Sequence, residues 1–125
     1  MNVNYEELIR KFHDKFQQTY KGPPRVLPEE LQWRLDFIYE EFTELEEAVD
    51  HEDIVKTYDA LLDLMVVCMG TIDLMGLSIN KGLFEVMRSN MTKELGPIGT
   101  GKYGRGLQKG KDYQPPNLEV LCQVD

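Results

Sequence analysis

One carboxylate in the middle of an apolar helical stripe constrains this chain more than any other feature. On a helical wheel at 100° per residue with Glu41 at 0°, Phe37 and Ala48 fall on one side and Ile38 and Leu45 on the other, so Glu41 occupies the buried face of its own helix. Glu44 lies on the edge of the stripe, about 60° away, while Glu40 and Glu47 turn further toward solvent. Downstream, Asp63 reads the same way, with Val66, Val67 and Gly70 on its face and Asp59 one turn before it. An ionised carboxylate removed from water without a partner costs several kcal/mol, so acids at core-facing positions require compensation. Local bases do not provide it. From Leu27 to Asp63 there are thirteen acids and two bases, Arg34 and Lys56, a balance of −11. A bound divalent cation is the simplest neutralising partner.

The helical spans follow from periodicity and punctuation. Residues 4–20 carry Leu8, Ile9, Phe12, Phe16 and Tyr20 at helical spacing and end at Gly22-Pro23-Pro24. A second helix starts near Pro28, with Glu29 and Glu30 at the positive end of its dipole, and runs to about Val49. Asp50-His51-Glu52-Asp53 supplies a bend and an N-cap for a third helix, which reaches about Met75 and stops at Gly76. So short a connection makes these two helices antiparallel neighbours. With the bend at residue 51 or 52, Glu41 falls beside Asp63, and Glu44 beside Asp59 or Ala60. A fourth helix over 79–95, capped by Ser78, shows Leu83, Phe84, Met87 and Met91 on one face. Beyond Gly96-Pro97 the chain is rich in Gly, Lys and Tyr and lacks periodicity, which predicts an irregular arm. The fold expected is an all-α bundle of helical hairpins in a single domain of 1–125, with a helical core over 4–95 and the arm over 96–125. Its small size favours oligomerisation, and the apolar third helix agrees with that.

Charge excludes some partners. A net charge of −8 argues against a polymeric nucleic acid or an anionic membrane. The segment from Gly96 onward is +1 and could clasp a small polyanion. The most apolar run, Leu64–Ile72, is too short to span a bilayer. Cys68 and Cys122 show no metal or disulfide spacing, and the N-terminus lacks the basic and apolar regions of a signal peptide, which together suggest reduced thiols in a cytoplasm.

Glu41, Glu44 and Asp63 suit a magnesium ion, which takes oxygen ligands and completes its shell with water and substrate phosphate. Glu40, one step round the helix, is placed to hold or deprotonate a water. Asn90 and Lys93 share a face at i, i+3 and, with Arg88 nearby, could bind phosphate or sugar; Lys111 and Tyr113 offer charge and a ring in the arm, as does Lys109. Trp33, Phe37 and Tyr39 read as core or interface, and His13 and His51 belong to no motif and receive no catalytic part.

Four pieces in order, Arg34–Leu45, Asp59–Leu64, Glu85–Lys93 and Gly110–Asn117, resemble the MazG-like all-α nucleoside triphosphate pyrophosphohydrolase superfamily, which includes phosphoribosyl-ATP pyrophosphohydrolase and dimeric dUTPases. The resemblance implies hydrolysis between the α and β phosphates with Mg²⁺, or Mn²⁺, giving a nucleoside monophosphate and pyrophosphate. It implies Glu41, Glu44 and Asp63 as metal ligands, Glu40 as the water-activating or second-metal residue, Asn90, Lys93 and Tyr113 as nucleotide contacts, and association into a homodimer or homotetramer. Where the family often has Glu three residues before its second-motif Asp, this chain has Ala60, with Asp59 displaced by one. Either Asp59 substitutes from the adjacent position or the site holds fewer metals. The alternatives are a catalytically weak nucleotide- or metal-binding regulator and a structural acidic bundle that binds a basic protein.

Overall fold

A computed structural model describes residues 2–123 and resolves the chain into two compact units, one ending at Ile79 and one spanning Asn80–Gln123. The boundary lies ahead of Gly96, where the sequence suggests the core gives way to the arm.

In the first unit, α1 runs Tyr5–Lys15, with the Asn4 side chain accepting from the Glu7 N–H at 3.1 Å. It ends earlier than its apolar spacing suggests. Gln17 takes a left-handed φ of 59°, and the Gln18 N–H turns back to the His13 carbonyl at 2.8 Å. Tyr20 therefore belongs to a strap and not to the helix. The Arg25 guanidinium sits 3.6 Å from its ring centroid and donates through Nε to the Leu74 carbonyl at 3.0 Å. After Pro28 a single 3-10 turn, Glu29–Leu31, leads into α2, Trp33–Asp50. Glu52, at φ 53°, makes the bend, and the Asp53 carboxylate caps α3, Ile54–Leu74, at the Lys56 N–H (3.0 Å).

α2 and α3 form the expected antiparallel hairpin, with α1 packed on α3. The buried apolar residues of this unit are few: Ile9, Ala48, Ala60, Val67, Leu74 and Ile79. Ala48 and Ala60 let the helices approach near the bend. Several larger apolar side chains of α3, namely Val55, Tyr58, Leu61, Leu62 and Met65, are exposed on the single chain. No single helix among the described residues is long and apolar enough to cross a membrane.

In the second unit, α4 (Ile79–Asn90) stops five residues before the periodicity does. The chain turns through Met91–Lys93 into β1, Glu94–Leu95, which pairs antiparallel with β2, Leu107–Gln108. The arm is thus not irregular throughout. Gly101 and Gly106 close this hairpin at φ 74° and 79°, and a Cβ at either would strike backbone across the loop. Downstream, residues 113–117 are stitched to α4. Buried Ser89 donates to the Gln114 carbonyl at 2.8 Å, and the Gln114 N–H donates to Thr92 Oγ1 at 2.9 Å.

Candidate active site

Register across the α2–α3 hairpin decides which acids meet. Glu41 and Asp63 line one cleft of about 330 Å³, together with Phe37, Val66, Val67 and Gly70. Toward the bend, Glu44, Asp59 and Ala60 line a second, of about 520 Å³, with Glu47, Asp53 and Lys56. The pairing read from the bend is therefore the pairing in the structure.

Glu41 is the stressed member of the group. Its Oε2 is buried and has no hydrogen-bond partner. Burial, foremost, and then the neighbouring Glu44, Asp63 and Glu40 push its carboxyl above the ordinary value; Glu44 contributes through both charge and a hydrogen bond. An orphaned carboxylate oxygen among three further acids is a donor set for a hard cation: oxygen only, with excess negative charge, and with desolvation already incurred at Glu41 Oε2. Asp63 differs from the sequence reading. Although Val67 and Gly70 on its face are buried, Asp63 itself is exposed, as are Asp59, Glu44 and Glu40. A wheel shows which face points at the partner helix, but not how far a long cleft between helices opens to solvent. Among the described residues, no group of three or more His, Cys, Asp or Glu side chains is already gathered into a metal-holding arrangement. The donors thus fit magnesium in kind and neighbourhood, and binding would have to draw them inward. Ala60 is buried in the helix contact, so Asp59 is the acid available on that turn.

The far end of the Glu41 cleft holds groups that the sequence did not flag. His13 is buried, and its Nδ1 lies 2.6 Å from Oδ2 of buried Asp73, whose other oxygen is 3.6 Å from Arg10 Nε. Arg34 is 5% exposed and makes no ion pair among the described residues. Its Nε donates to Thr71 Oγ1 at 3.1 Å and its Nη2 to the Val67 carbonyl at 3.0 Å. Burial lowers its pKa from the ordinary value, with Cys68 acting the other way. The Trp33 and Phe37 rings, 6.1 Å apart and stacked at 26°, flank this guanidinium at 5.3 and 5.6 Å. Both rings line the cleft, while Tyr39 is exposed. The wheel could have flagged Arg34, which lies two turns before Glu41 on the same face. Nothing local signals His13, whose partner is sixty residues away.

In the second unit, Arg88 is engaged. Its Nε and Nη2 hold both oxygens of Glu85 at 2.7 and 2.9 Å, and it also donates to Gln114 Oε1 and the Pro115 carbonyl. With the Asn117 N–H on the same carboxylate, this holds the Glu85 carboxyl down to about 2. Arg88 ties the arm to α4, and most of its donors are spent there. Asn90 is exposed, with Nδ2 3.9 Å from Met87 Sδ, and Lys111 is exposed; Lys93 is half-buried. The Tyr113 hydroxyl meets Ser89 Oγ at 3.4 Å, and its ring lies 5.2 Å from Lys109 Nζ.

Residues 9–90, well over half of the chain, match the phosphoribosyl-ATP pyrophosphohydrolase family. No curated protein matches the chain. The helical hairpin with acids on its facing turns agrees with that match: the chain belongs to the phosphoribosyl-ATP pyrophosphohydrolase family, within the all-α MazG-like enzymes, and is a hydrolase acting on phosphoric anhydrides.

Proposed function

We propose that this enzyme is a Mg²⁺-dependent nucleotide pyrophosphohydrolase that cleaves a (deoxy)nucleoside triphosphate, or a related nucleotide, between its α and β phosphates. The observation that carries the reading is Glu41, with its partnerless buried oxygen and a carboxyl whose pKa is raised by burial and by Glu44, Asp63 and Glu40. Glu41, Glu44 and Asp63, with Asp59 in place of the acid that Ala60 lacks, would hold Mg²⁺, or Mn²⁺. When bound, the ion supplies charge neutralisation at the phosphates and acidifies water.

Glu40 orients the attacking water and takes its proton as the oxygen adds to phosphorus. The bridging P–O bond breaks, and the products are a nucleoside monophosphate and pyrophosphate. Asn90, Lys93, Lys111 and Tyr113 serve phosphate or sugar, and Arg88 serves them indirectly by fixing the segment that carries Tyr113. The enzyme works in the cytoplasm as a homodimer or homotetramer, which would cover the exposed apolar face of α3.

A second reading, a nucleotide- or metal-binding regulator of weak turnover, is favoured by one observation: Ala60 is packed in the helix contact and the remaining acids are not gathered. Pyrophosphate release from a panel of canonical, deoxy and modified nucleoside triphosphates, with Mg²⁺, Mn²⁺ or chelator, decides between them. Metal-dependent release from any member supports the hydrolase; nucleotide binding without release supports the regulator.

A further inference from the structure

Arg34 and His13 meet over a glycine. A Cβ built on Gly70 would lie 2.6 Å from Arg34 Nη2 and 3.2 Å from His13 Nε2, so the two polar tips converge on the bare backbone of α3. Glycine inside a helix costs about 1 kcal/mol relative to alanine, and here it clears the space these groups use. All three residues line the cleft that also holds Glu41 and Asp63.

The hydrogen-bonding capacities of the two tips are complementary. Of the five guanidinium N–H groups, the two on Nη1 and one on Nη2 have no acceptor among the described residues. With Asp73 accepting at Nδ1, the imidazole in its neutral form presents a lone pair at Nε2. A donor next to an acceptor matches a carbonyl next to a ring N–H. Uracil, thymine, hypoxanthine and guanine carry that edge. Cytosine and adenine carry an amino group next to a bare ring nitrogen, which sets donor against donor and acceptor against acceptor. Trp33 and Phe37 supply an aromatic wall. Seven residues of α2 separate Arg34 from Glu41, about 10 Å along the axis, which is the reach of one nucleoside.

We propose that Arg34 and His13 form a base-reading pair that selects nucleotides whose base presents a carbonyl beside a ring N–H, with Asp73 as the positioning residue that fixes the imidazole. The proposal rests on the nucleotide reading of the Glu41 cleft and goes beyond it to the base.

The test is calorimetric binding of dUMP, dCMP, dIMP, dAMP and 3-methyl-dUMP to the full chain with Mg²⁺, alongside pyrophosphate release from dUTP and dCTP. In the wild type, dUMP should bind at least about tenfold tighter than dCMP, and dIMP than dAMP, because a mismatched edge leaves buried polar groups unpaired. 3-Methyl-dUMP keeps both carbonyls and loses the N–H, and should bind as weakly as dCMP; this arm needs no variant. Arg34→Met should erase the preference, bringing the ratio of dUMP to dCMP affinity within the variant to about one. Equal binding of dUMP and dCMP, tight binding of 3-methyl-dUMP, or an undiminished preference in Arg34→Met overturns the pair. If pyrophosphate is released from both triphosphates without a base preference, the hydrolase reading stands and this one fails. If nothing binds and nothing is released, both fail.

Discussion

Replacing Gly70 by alanine tests whether Arg34 and His13 are held where the structure puts them. In the middle of an exposed helix this change stabilises by up to about 1 kcal/mol, because glycine has the most backbone freedom to lose on folding. At Gly70 the new methyl would sit 2.6 Å from Arg34 Nη2 and 3.2 Å from His13 Nε2, inside contact distance of both. A free arginine tip would swing away at little cost. This one is buried and bonded to the Val67 carbonyl and Thr71 Oγ1, and a charged hydrogen bond lost in a buried setting costs about 1.5–3 kcal/mol. Set against the helix gain, the net expectation is a loss of about 1–2 kcal/mol. For a chain of this length that is a fall in Tm of roughly 5 °C. Gly82 is the internal control. It lies in α4 with nothing within 4 Å of its built Cβ, so Gly82→Ala should raise Tm by a few degrees. Differential scanning calorimetry of both variants reads the difference. An unchanged or raised Tm for Gly70→Ala would mean that Arg34 and His13 do not crowd this helix, and their convergence on Gly70 would be wrong.

Two further expectations concern charge. Glu41→Gln removes the carboxylate whose Oε2 is buried without a partner, so pyrophosphate release should fall at least about a hundredfold while Tm holds or rises by a few degrees; full activity in this variant would refute the assignment of Glu41. The Glu85 carboxyl, held down to about 2 by Arg88 and the Asn117 N–H, has its folded pKa below the ordinary 4.5. Its contribution is therefore complete above pH 4.5 and lost as pH falls toward 2. Limited proteolysis by an acid protease should cut residues 113–117 increasingly across that window, and Glu85→Gln should show the same release at neutral pH.

The acidic hairpin was legible in the sequence because two local facts sufficed. A four-residue bend fixed the register, and helical periodicity fixed the faces, which together put Glu41 opposite Asp63 and Glu44 opposite Asp59 and Ala60. What remained hidden depended on contacts between distant residues or on single backbone angles. α1 is cut short by Gln17 in a left-handed conformation, and glutamine carries no sequence sign of it. His13 acquires meaning only from Asp73. The strands Glu94–Leu95 and Leu107–Gln108 are too short for alternation to show; glycines between them, read as irregularity, are the residues that close the hairpin. Arg34 was counted as one of two bases in an acidic stretch, yet it turns away from those acids to a hydroxyl and a carbonyl.

That separation sharpens the electrostatic problem and gives a final prediction. With Arg34 committed elsewhere, no ion pair among the described residues neutralises Glu40, Glu41, Glu44, Asp59 or Asp63, so the hairpin folds against its own charge. Because the folded pKa of Glu41 is raised, the folded state binds more proton there than the unfolded chain at pH values between the two. Its contribution is thus fully present below the ordinary value of 4.5 and is lost as pH rises through the folded value. A divalent cation competes for that same site, and a ligand bound only by the folded state adds about 2.7 kcal/mol at a hundred times its Kd, roughly 10 °C here. Tm should therefore rise saturably with Mg²⁺ or Mn²⁺, the gain should grow as pH rises and Glu41 gives up its proton, and the gain should collapse in Glu41→Gln. Sodium at matched ionic strength separates site binding from screening, since screening relieves repulsion without saturating at low concentration. If sodium reproduces the shift, or Glu41→Gln retains it, the acids form a solvated face and not a metal centre.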